Sequence, residues 1–149
     1  MPQLRISFLL NKVVGEMNNQ ADGLLRNKFR ITYSQFVFLV NVEEHVEIDV
    51  TRLAEALGVT KSAVSKRLTW FLDRDFVTVH QTPGDSKSVF ISLTHKGKEL
   101  AHASGEFLEN EFLNTISRYE GVDYSTLSSE LMKIYERLQK RKDAEREKD

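Results

Sequence analysis

Residues 52–75 read RLAEALGVTKSAVSKRLTWFLDRD, and this stretch decides the fold of the chain. Its first half has the one- and four-residue apolar spacing of a short helix that lies on a core, with Leu53, Ala54 and Leu57. Gly58 then supplies the positive φ that a helix exit needs. Thr60 can cap a second helix, and Val59 and Val64 have the spacing of a hydrophobic staple. The stretch therefore predicts two short helices joined by a sharp turn.

The second of these helices has two chemically different faces. On a helical wheel its apolar residues fall on one side, which we expect to be buried: Val64, Leu68, Phe71 and Leu72. Until Asp73, the opposite side carries only hydroxyls and lysines: Lys61, Ser62, Ser65, Lys66 and Thr69. Such a face suits the major groove of DNA, where phosphates repel carboxylates. An ordinary helix pair with a solvated polar face is the alternative, and this stretch alone leaves both open.

Two strands are predicted after the helix pair. Residues 76–81 and 88–93 alternate apolar and polar side chains and are rich in β-branched types. Residues 82–87 join them, and Pro83 and Gly84 fit the second and third positions of a type II turn. A helix-turn-helix followed at once by a hairpin indicates a mainly α fold, a winged helix-turn-helix with a two-stranded β-wing.

Two helices are predicted before this region. Apolar residues recur at three- and four-residue steps across residues 3–28, and Pro2 suits the first turn. This wide apolar stripe needs a partner beyond a small domain, and a second copy of the chain is one candidate. Thr32 and Gln35 have capping-box spacing and should start a second helix that ends near Glu44. We expect its core face to consist of Phe36, Leu39, Val40 and Val42.

A connector and three further helix starts complete the chain. Residues 46–48 read as a short extended connector. Side-chain caps should start the remaining helices: Asp49, Thr94 and Asp123. The helix after Thr94 should reach about Tyr119. The residues from Lys140 onward are mostly charged and of both signs, which is typical of a fraying end.

Composition limits the classes of function. With 149 residues, 40% of them hydrophobic, the chain suits one compact domain or one domain with appended helices. It has no cysteine, which excludes disulfides, thiolate metal sites and thiol-based redox sensing. No apolar run approaches the roughly 20 residues of a membrane span, and residues 1–20 lack a signal-peptide pattern, so we expect a cytoplasmic protein. We expect no enzyme, because Ser62 and Ser65 have no evident His or Lys base and no phosphate-binding loop is visible.

The net charge of −1 hides a gradient along the chain. Residues 50–98 hold eight Lys/Arg against four Asp/Glu, whereas residues 99–149 hold eight against twelve. The helix-turn-helix segment is therefore the basic part of the chain, which favours contact with a polyanion there.

The order of these elements resembles the MarR family of winged-helix transcription regulators, and the likeness covers nearly the whole chain. The residues that carry it are Leu53-Ala54, Leu57-Gly58-Val59, Ser65-Lys66, Asp85 in the wing and Ser92-Leu93-Thr94-His95-Lys96-Gly97. The resemblance implies a homodimer formed by long N- and C-terminal dimerisation helices. Residues 1–31 and 99–149 would form the dimerisation region and residues 32–98 the winged-helix DNA-binding domain.

The same resemblance implies a partner and a mechanism. Two recognition helices would enter successive major grooves of a pseudo-palindromic operator in double-stranded DNA and repress transcription by occlusion. Small aromatic or phenolic acids are the family's common effectors. The expected DNA-binding residues are Arg52, Thr60, Lys61, Ser62, Ser65, Lys66, Thr69 and Lys87. Of these, the two serines and Lys66 should face base edges, and the other cations should meet phosphates or the minor groove.

Three positions depart from the family pattern. Lys87 stands in the wing where the family usually has an arginine, Thr69 where it often has an aspartate, and Asp75 where a glycine usually ends the helix. Lysine still neutralises a phosphate but lacks the planar fork of arginine. This departure and the near-neutral charge leave open a second hypothesis, a winged-helix protein-interaction module without DNA binding.

Other features of the sequence favour packing or solvation over a separate site. Trp70 falls off the buried arc of its helix and should pack under the wing or against a neighbouring helix rather than line an effector pocket. Glu99, His102 and Glu106 lie at three- and four-residue steps, and some family members sense zinc. Glutamates at this spacing usually form a solvated face, and no closed tetrahedral ligand set is visible. We therefore expect no metal and no cofactor.

Overall fold

The computed structural model describes residues 5–84 and 87–148. Its elements are α1 Ile6–Phe29, α2 Tyr33–Glu43, β1 Ile48–Asp49, α3 Val50–Leu57, α4 Lys61–Asp73, β2 Val77–Gln81, β3 Val89–Leu93, α5 His95–Ile116 and α6 Tyr124–Arg146. Helices dominate, and the pair α3 and α4 is followed directly by the hairpin of β2 and β3. The predicted winged helix-turn-helix is therefore confirmed.

The wing belongs to a three-stranded antiparallel sheet in the order β1-β3-β2. Ile91 of β3 lies opposite Val79 of β2 on one side and opposite Ile48 of β1 on the other. The sequence reading of residues 46–48 as a connector missed this third strand. It forms because Ile48 and Ile91 are both buried in the core, so their backbones come within pairing distance.

The core lies under α4 and is formed by α2, α3, the sheet and the start of α5. Phe38 of α2 stacks on Phe71 of α4, with ring centroids 4.1 Å apart and an interplanar angle of 14°. Two expectations about buried faces were wrong. Leu72 is 39% exposed rather than buried, and Phe38 is fully buried in α2 whereas Phe36 is only half-buried. A helical wheel gives the direction of a face, but the neighbouring elements decide how far each flank is covered.

Local capping chemistry sets most helix starts, as predicted. Thr32 and Gln35 form both bonds of a capping box, at 3.0 and 2.8 Å. The caps of the later helices accept a backbone N–H three residues on: Asp49, Thr60, Thr94 and Asp123. Gly58 ends α3 in the left-handed conformation at φ 66°, and Asp75 takes the same conformation at φ 58° just after α4.

The helix ends differ from prediction in two places. α6 continues to Arg146 instead of fraying from Lys140 onward, and an Arg141–Glu145 pair at 3.1 Å supports its last turns. α5 ends at Ile116 rather than near Tyr119. At the other terminus α1 begins at Ile6, and the proposed role of Pro2 lies outside the described residues.

Asp22 links α1 to α2. Its Oδ1 accepts a hydrogen bond from the Tyr33 backbone N–H at 2.8 Å, and its Oδ2 accepts one from Arg26 Nε at 2.6 Å. The Arg26 bond and then the Tyr33 bond hold the pKa of the Asp22 carboxyl below its usual value. Because the Tyr33 N–H has no partner within its own helix, Asp22 acts as a second cap of α2.

The chain forms two compact units, one up to Leu108 and the other from Glu109 onward. In the first unit, α1 leaves large apolar side chains exposed: Ile6, Phe8, Leu9, Leu10, Val13, Val14 and Met17. In the second unit, no residue of α6 is buried, and its exposed apolar residues are Leu127, Leu131, Met132, Ile134, Tyr135 and Leu138. Across residues 5–84 and 87–148, no helix has both the length and the apolar character of a membrane span.

Candidate nucleic-acid interface

The helix α4 is held firmly at its start and on its buried side. Gly58 and the bond from the Val59 N–H to the Ala54 carbonyl, at 3.0 Å, close the turn before it. The Thr60 hydroxyl accepts the Ala63 N–H at 3.1 Å and caps the first turn. Three apolar side chains then fasten the helix to the core: Val64, Leu68 and Phe71. The direction of the opposite face is therefore fixed by the fold.

That opposite face is exposed, and its polar side chains are available to a partner. The residues proposed for DNA contact on or before α4 are all exposed: Thr60, Lys61, Ser62, Ser65, Lys66 and Thr69. Within the described part of the chain, neither lysine makes an ion pair, and the hydroxyls of Ser62, Ser65 and Thr69 make no hydrogen bond. Asp73 is the first carboxylate on the helix. The face can therefore offer two positive charges and three hydroxyls to an anionic partner.

The remaining two proposed contacts lie outside α4. Arg52 is exposed on α3, and its Nε lies 3.6 Å from the Asp49 carboxylate that caps the same helix. Lys87 is exposed at the end of the wing loop. Gly84 in this loop has a φ of 92°, as the third position of a type II turn requires, whereas Asp85 and Ser86 lie outside the described residues. The structure therefore leaves the predicted side chains exposed on α3, α4 and the wing.

The base of the wing is braced by His80. Its Nε2 lies 2.7 Å from Glu47 Oε2, and its ring stacks on Phe90 with centroids 5.7 Å apart. Phe90 pairs with both His80 and Asp49 in the sheet, so the His80 side chain reaches across β3 toward the segment before β1. The sequence reading missed this contact, because no local pattern places Glu47 beside His80.

Trp70 packs where the wing begins, off the exposed face of α4. It stacks on Phe76 at 5.8 Å, meets Phe71 edge-on at 5.0 Å and lies under the Arg74 guanidinium at 4.2 Å. Trp70 is therefore a packing residue of the helix exit, in agreement with its predicted role.

The start of α5 is fastened to this same exit. The Thr94 hydroxyl donates to the Asp75 carbonyl at 2.6 Å and accepts the Gly97 N–H at 3.0 Å. Gly97 lies so close to Phe76 that a Cβ there would be 2.0 Å from the Phe76 carbonyl oxygen. This contact gives the physical reason for the spacing of Thr94 and Gly97 in the run Ser92-Leu93-Thr94-His95-Lys96-Gly97: the threonine joins two elements, and only glycine fits between them.

Three histidines lie beside neighbouring glutamates or a carbonyl: His45, His95 and His102. His95 and Glu99 are 3.2 Å apart, and His102 and Glu106 are 4.0 Å apart, each pair on the exposed side of α5. His45 Nδ1 lies 2.9 Å from the Asn41 carbonyl oxygen. Among residues 5–84 and 87–148, no three His, Asp or Glu side chains are grouped so that they could hold a metal ion.

Residues 31–89, which span α2 to the start of β3, match the model of the MarR family. An organic hydroperoxide resistance transcriptional regulator of Bacillus subtilis is 29% identical over 134 residues, which are 90% of this chain and 89% of that protein. A MarR-family domain therefore occupies residues 31–89 of this chain. The protein is a DNA-binding transcription regulator and not an enzyme.

Solved structures of MarR and of NadR have the same fold as this chain. Wild-type MarR from Escherichia coli in its apo form superposes with a TM-score of 0.78 over 90% of this chain and 98% of its own, at 20% identity. NadR in complex with 4-hydroxyphenylacetate superposes with a TM-score of 0.72 over 95% of this chain and 94% of its own, also at 20% identity. The likeness in fold therefore extends beyond the winged helix to the terminal helices of this chain.

Proposed function

We propose that the protein is a homodimer that places two copies of α4 in successive major grooves of a pseudo-palindromic operator and represses transcription by occlusion. The exposed face of α4, with its uncommitted lysines and hydroxyls, is the observation that carries the proposal. The proposed contacts are Arg52, Thr60, Lys61, Ser62, Ser65, Lys66, Thr69 and Lys87. A regulator that binds the chromosome acts in the cytoplasm, where we place this protein.

Dimerisation is supported by the exposed apolar residues of α1 and, independently, by those of α6. Apolar patches of this kind usually mark a protein interface. In functional terms we assign residues 1–31 and 99–149 to dimerisation and residues 32–98 to DNA binding. Two-fold symmetry then sets the half-sites about one helical turn apart, roughly 34–36 Å.

A direct test is a fluorescence-anisotropy titration of the purified protein with its own upstream promoter fragment, in the presence of competitor DNA. Lys66→Ala should weaken binding by about tenfold or more, because each subunit loses a contact worth about 1–3 kcal/mol. If Lys66 meets a phosphate, the slope of log K against log salt should also fall by about 0.9 per lost contact.

A matched control removes the same charge from another helix. Lys133→Ala in α6 takes away an exposed lysine that is paired with Glu130 and should leave promoter affinity unchanged. Equal losses in both variants would indicate a general charge effect rather than a contact by α4. The alternative, a protein-interaction module, is motivated by Lys87 in place of the usual wing arginine. Absence of competitor-resistant, salt-sensitive binding to the promoter would favour that alternative.

We further propose that a small aromatic acid relieves repression. The support is the likeness to NadR, whose structure contains 4-hydroxyphenylacetate. Addition of 4-hydroxyphenylacetate should release the promoter fragment, whereas cyclohexylacetate, with a carboxylate but no aromatic ring, should release it less. Equal release by both acids, or release by neither, would contradict an aromatic effector of this class.

A further inference from the structure

The exposed face of α4 changes character toward its C-terminal end. At about 100° per residue, Ser62, Ser65 and Thr69 lie within roughly 60° of one another and form one stripe along the helix. Leu72 follows one turn later, roughly 20° from Ser65, and is 39% exposed. The polar stripe therefore ends in a small apolar patch made by the Thr69 methyl group and Leu72, which we call the methyl patch.

The chemistry of the stripe limits what it can distinguish. A serine hydroxyl donates or accepts and so suits any base, whereas bidentate discrimination needs an arginine, a lysine, an amide or a carboxylate. Between Lys61 and Leu72 the exposed polar face of α4 offers only lysine from this set, and lysine suits guanine. Thymine differs from the other bases in the major groove by its 5-methyl group, which is recognised by apolar contact. The methyl patch is therefore the part of this face that can select thymine.

The helix that carries the methyl patch is also held in place by the core. Leu68 and Phe71, which directly precede Thr69 and Leu72 in the sequence, are buried in the core, so the helix cannot easily turn the patch away from a bound duplex. The stripe from Ser62 to Thr69 is about 10 Å long at 1.5 Å per residue, which spans about three base-pair steps of 3.4 Å. Thr69 would thus lie over one step and the serines over its neighbours.

We propose that Thr69, with Leu72 beside it, is a specificity-determining contact that selects a thymine in each half-site through its 5-methyl group. The inference rests on the proposed binding of DNA by α4 and adds the base that this helix selects. Burying one methyl group contributes about 0.8 kcal/mol, which corresponds to about a fourfold change in Kd.

The test uses the full chain and a duplex selected by that chain from a randomised library. Each thymine of the selected half-site is replaced in turn by deoxyuridine, which removes the methyl group alone. For the wild type, one such replacement should raise Kd about fourfold. Thr69→Ser keeps the hydroxyl and removes the methyl from both subunits, so it should bind the original duplex about fifteenfold more weakly and be indifferent to the same replacement. Thr115→Ser removes a threonine methyl from α5 and should behave as the wild type.

The outcomes separate this inference from the proposed function. Binding that is insensitive to deoxyuridine at every position, or a sensitivity that Thr69→Ser retains, would overturn the thymine contact while leaving DNA binding by the protein intact. Failure of the chain to select any duplex would overturn both. A loss of deoxyuridine sensitivity in Thr69→Ser alone would establish the contact.

Discussion

The helices α4 and α6 both present exposed side chains, but these side chains are mostly polar on α4 and include a run of apolar residues on α6. α4 buries Val64, Leu68 and Phe71 and exposes lysines and hydroxyls. α6 buries no residue and exposes a run of apolar side chains that includes Leu131 and Leu138. Exposure alone therefore does not identify a binding surface, since it is common to both helices.

The kind of group exposed indicates the kind of partner. A face of cations and hydroxyls gains by meeting a polyanion and loses little when left in water. An apolar face is unfavourable in water and gains by meeting another apolar face, and a second copy of the same helix provides one. We infer from this contrast that α4 binds DNA and that α6 binds protein. Each of these two assignments can be tested separately by mutation.

The largest effect should come from a charge placed in the apolar face of α6. Leu131→Glu puts a carboxylate where the proposed dimer buries a leucine, and the cost of burying an unpaired charge should separate the subunits. Sedimentation velocity should then report a monomer. Because two linked half-site contacts become one, apparent operator affinity should fall by about 10²–10⁴-fold.

Ser129→Glu is the control for this change. It adds the same charge to α6 on the side away from Leu131, roughly 160° around the helix, and should remain dimeric with unchanged operator affinity. A Leu131→Glu protein that sediments and binds DNA like the wild type would remove α6 from the dimer interface.

The second largest effect should come from the contact that holds the start of α5 against the end of α4. Gly97→Ala would place a Cβ 2.0 Å from the Phe76 carbonyl, so the start of α5 must move away from the exit of α4. We expect a loss of about 3 kcal/mol in the free energy of unfolding, measured by urea denaturation. Since Trp70 packs on Phe76, operator affinity should fall as well.

Gly105→Ala in the same helix provides a control of opposite sign. Its Cβ would lie 3.8 Å from the Phe36 ring, an ordinary contact, so the better helix propensity of alanine should stabilise the protein by about 0.5–1 kcal/mol. If both alanine variants lost stability equally, the close approach at Gly97 would not be the cause.

The sequence predicted what short-range chemistry controls. The caps at Thr32, Thr60 and Asp123 could be read directly, because a side chain that accepts the N–H three residues on is a local interaction. The third strand could not be predicted, since Ile48 pairs with Ile91 from more than forty residues away. The 39% exposure of Leu72 could not be predicted for a similar reason, because the neighbouring elements decide how far its flank of the helix is covered.

The candidate interface could likewise be predicted where short-range chemistry controls it and not where long-range contacts do. The composition of the polar face of α4 follows from spacing alone, and the structure leaves each of its side chains exposed. The contacts that position the interface are long-range, and no local pattern indicates the His80–Glu47 pair or the space that Gly97 leaves for Phe76. Tertiary packing decides both.

The smallest expected effect is a pH dependence at the link between α1 and α2. Because the pKa of Asp22 is lowered in the folded chain, its stabilisation is present above the unfolded value near 3.8 and is lost as the pH falls through the lower folded value. Asp22→Asn keeps an oxygen for the Tyr33 N–H but removes the charge that Arg26 binds. The variant should therefore have a lower urea midpoint than the wild type at about pH 7, and the gap should shrink toward about pH 3.

Asp123→Asn tests the same effect in the other unit, where the hydrogen bond from the Thr126 hydroxyl is the main cause of a lowered Asp123 pKa. The difference in urea midpoint between Asp123→Asn and the wild type should disappear over the same acidic range. A gap that stayed constant with pH in either variant would show that the carboxylate acts there as a hydrogen-bond acceptor whose charge contributes nothing. Because Asp22 joins two helices whereas Asp123 caps only its own, Asp22→Asn should have the larger gap at neutral pH, and the reverse order would contradict its role as a link.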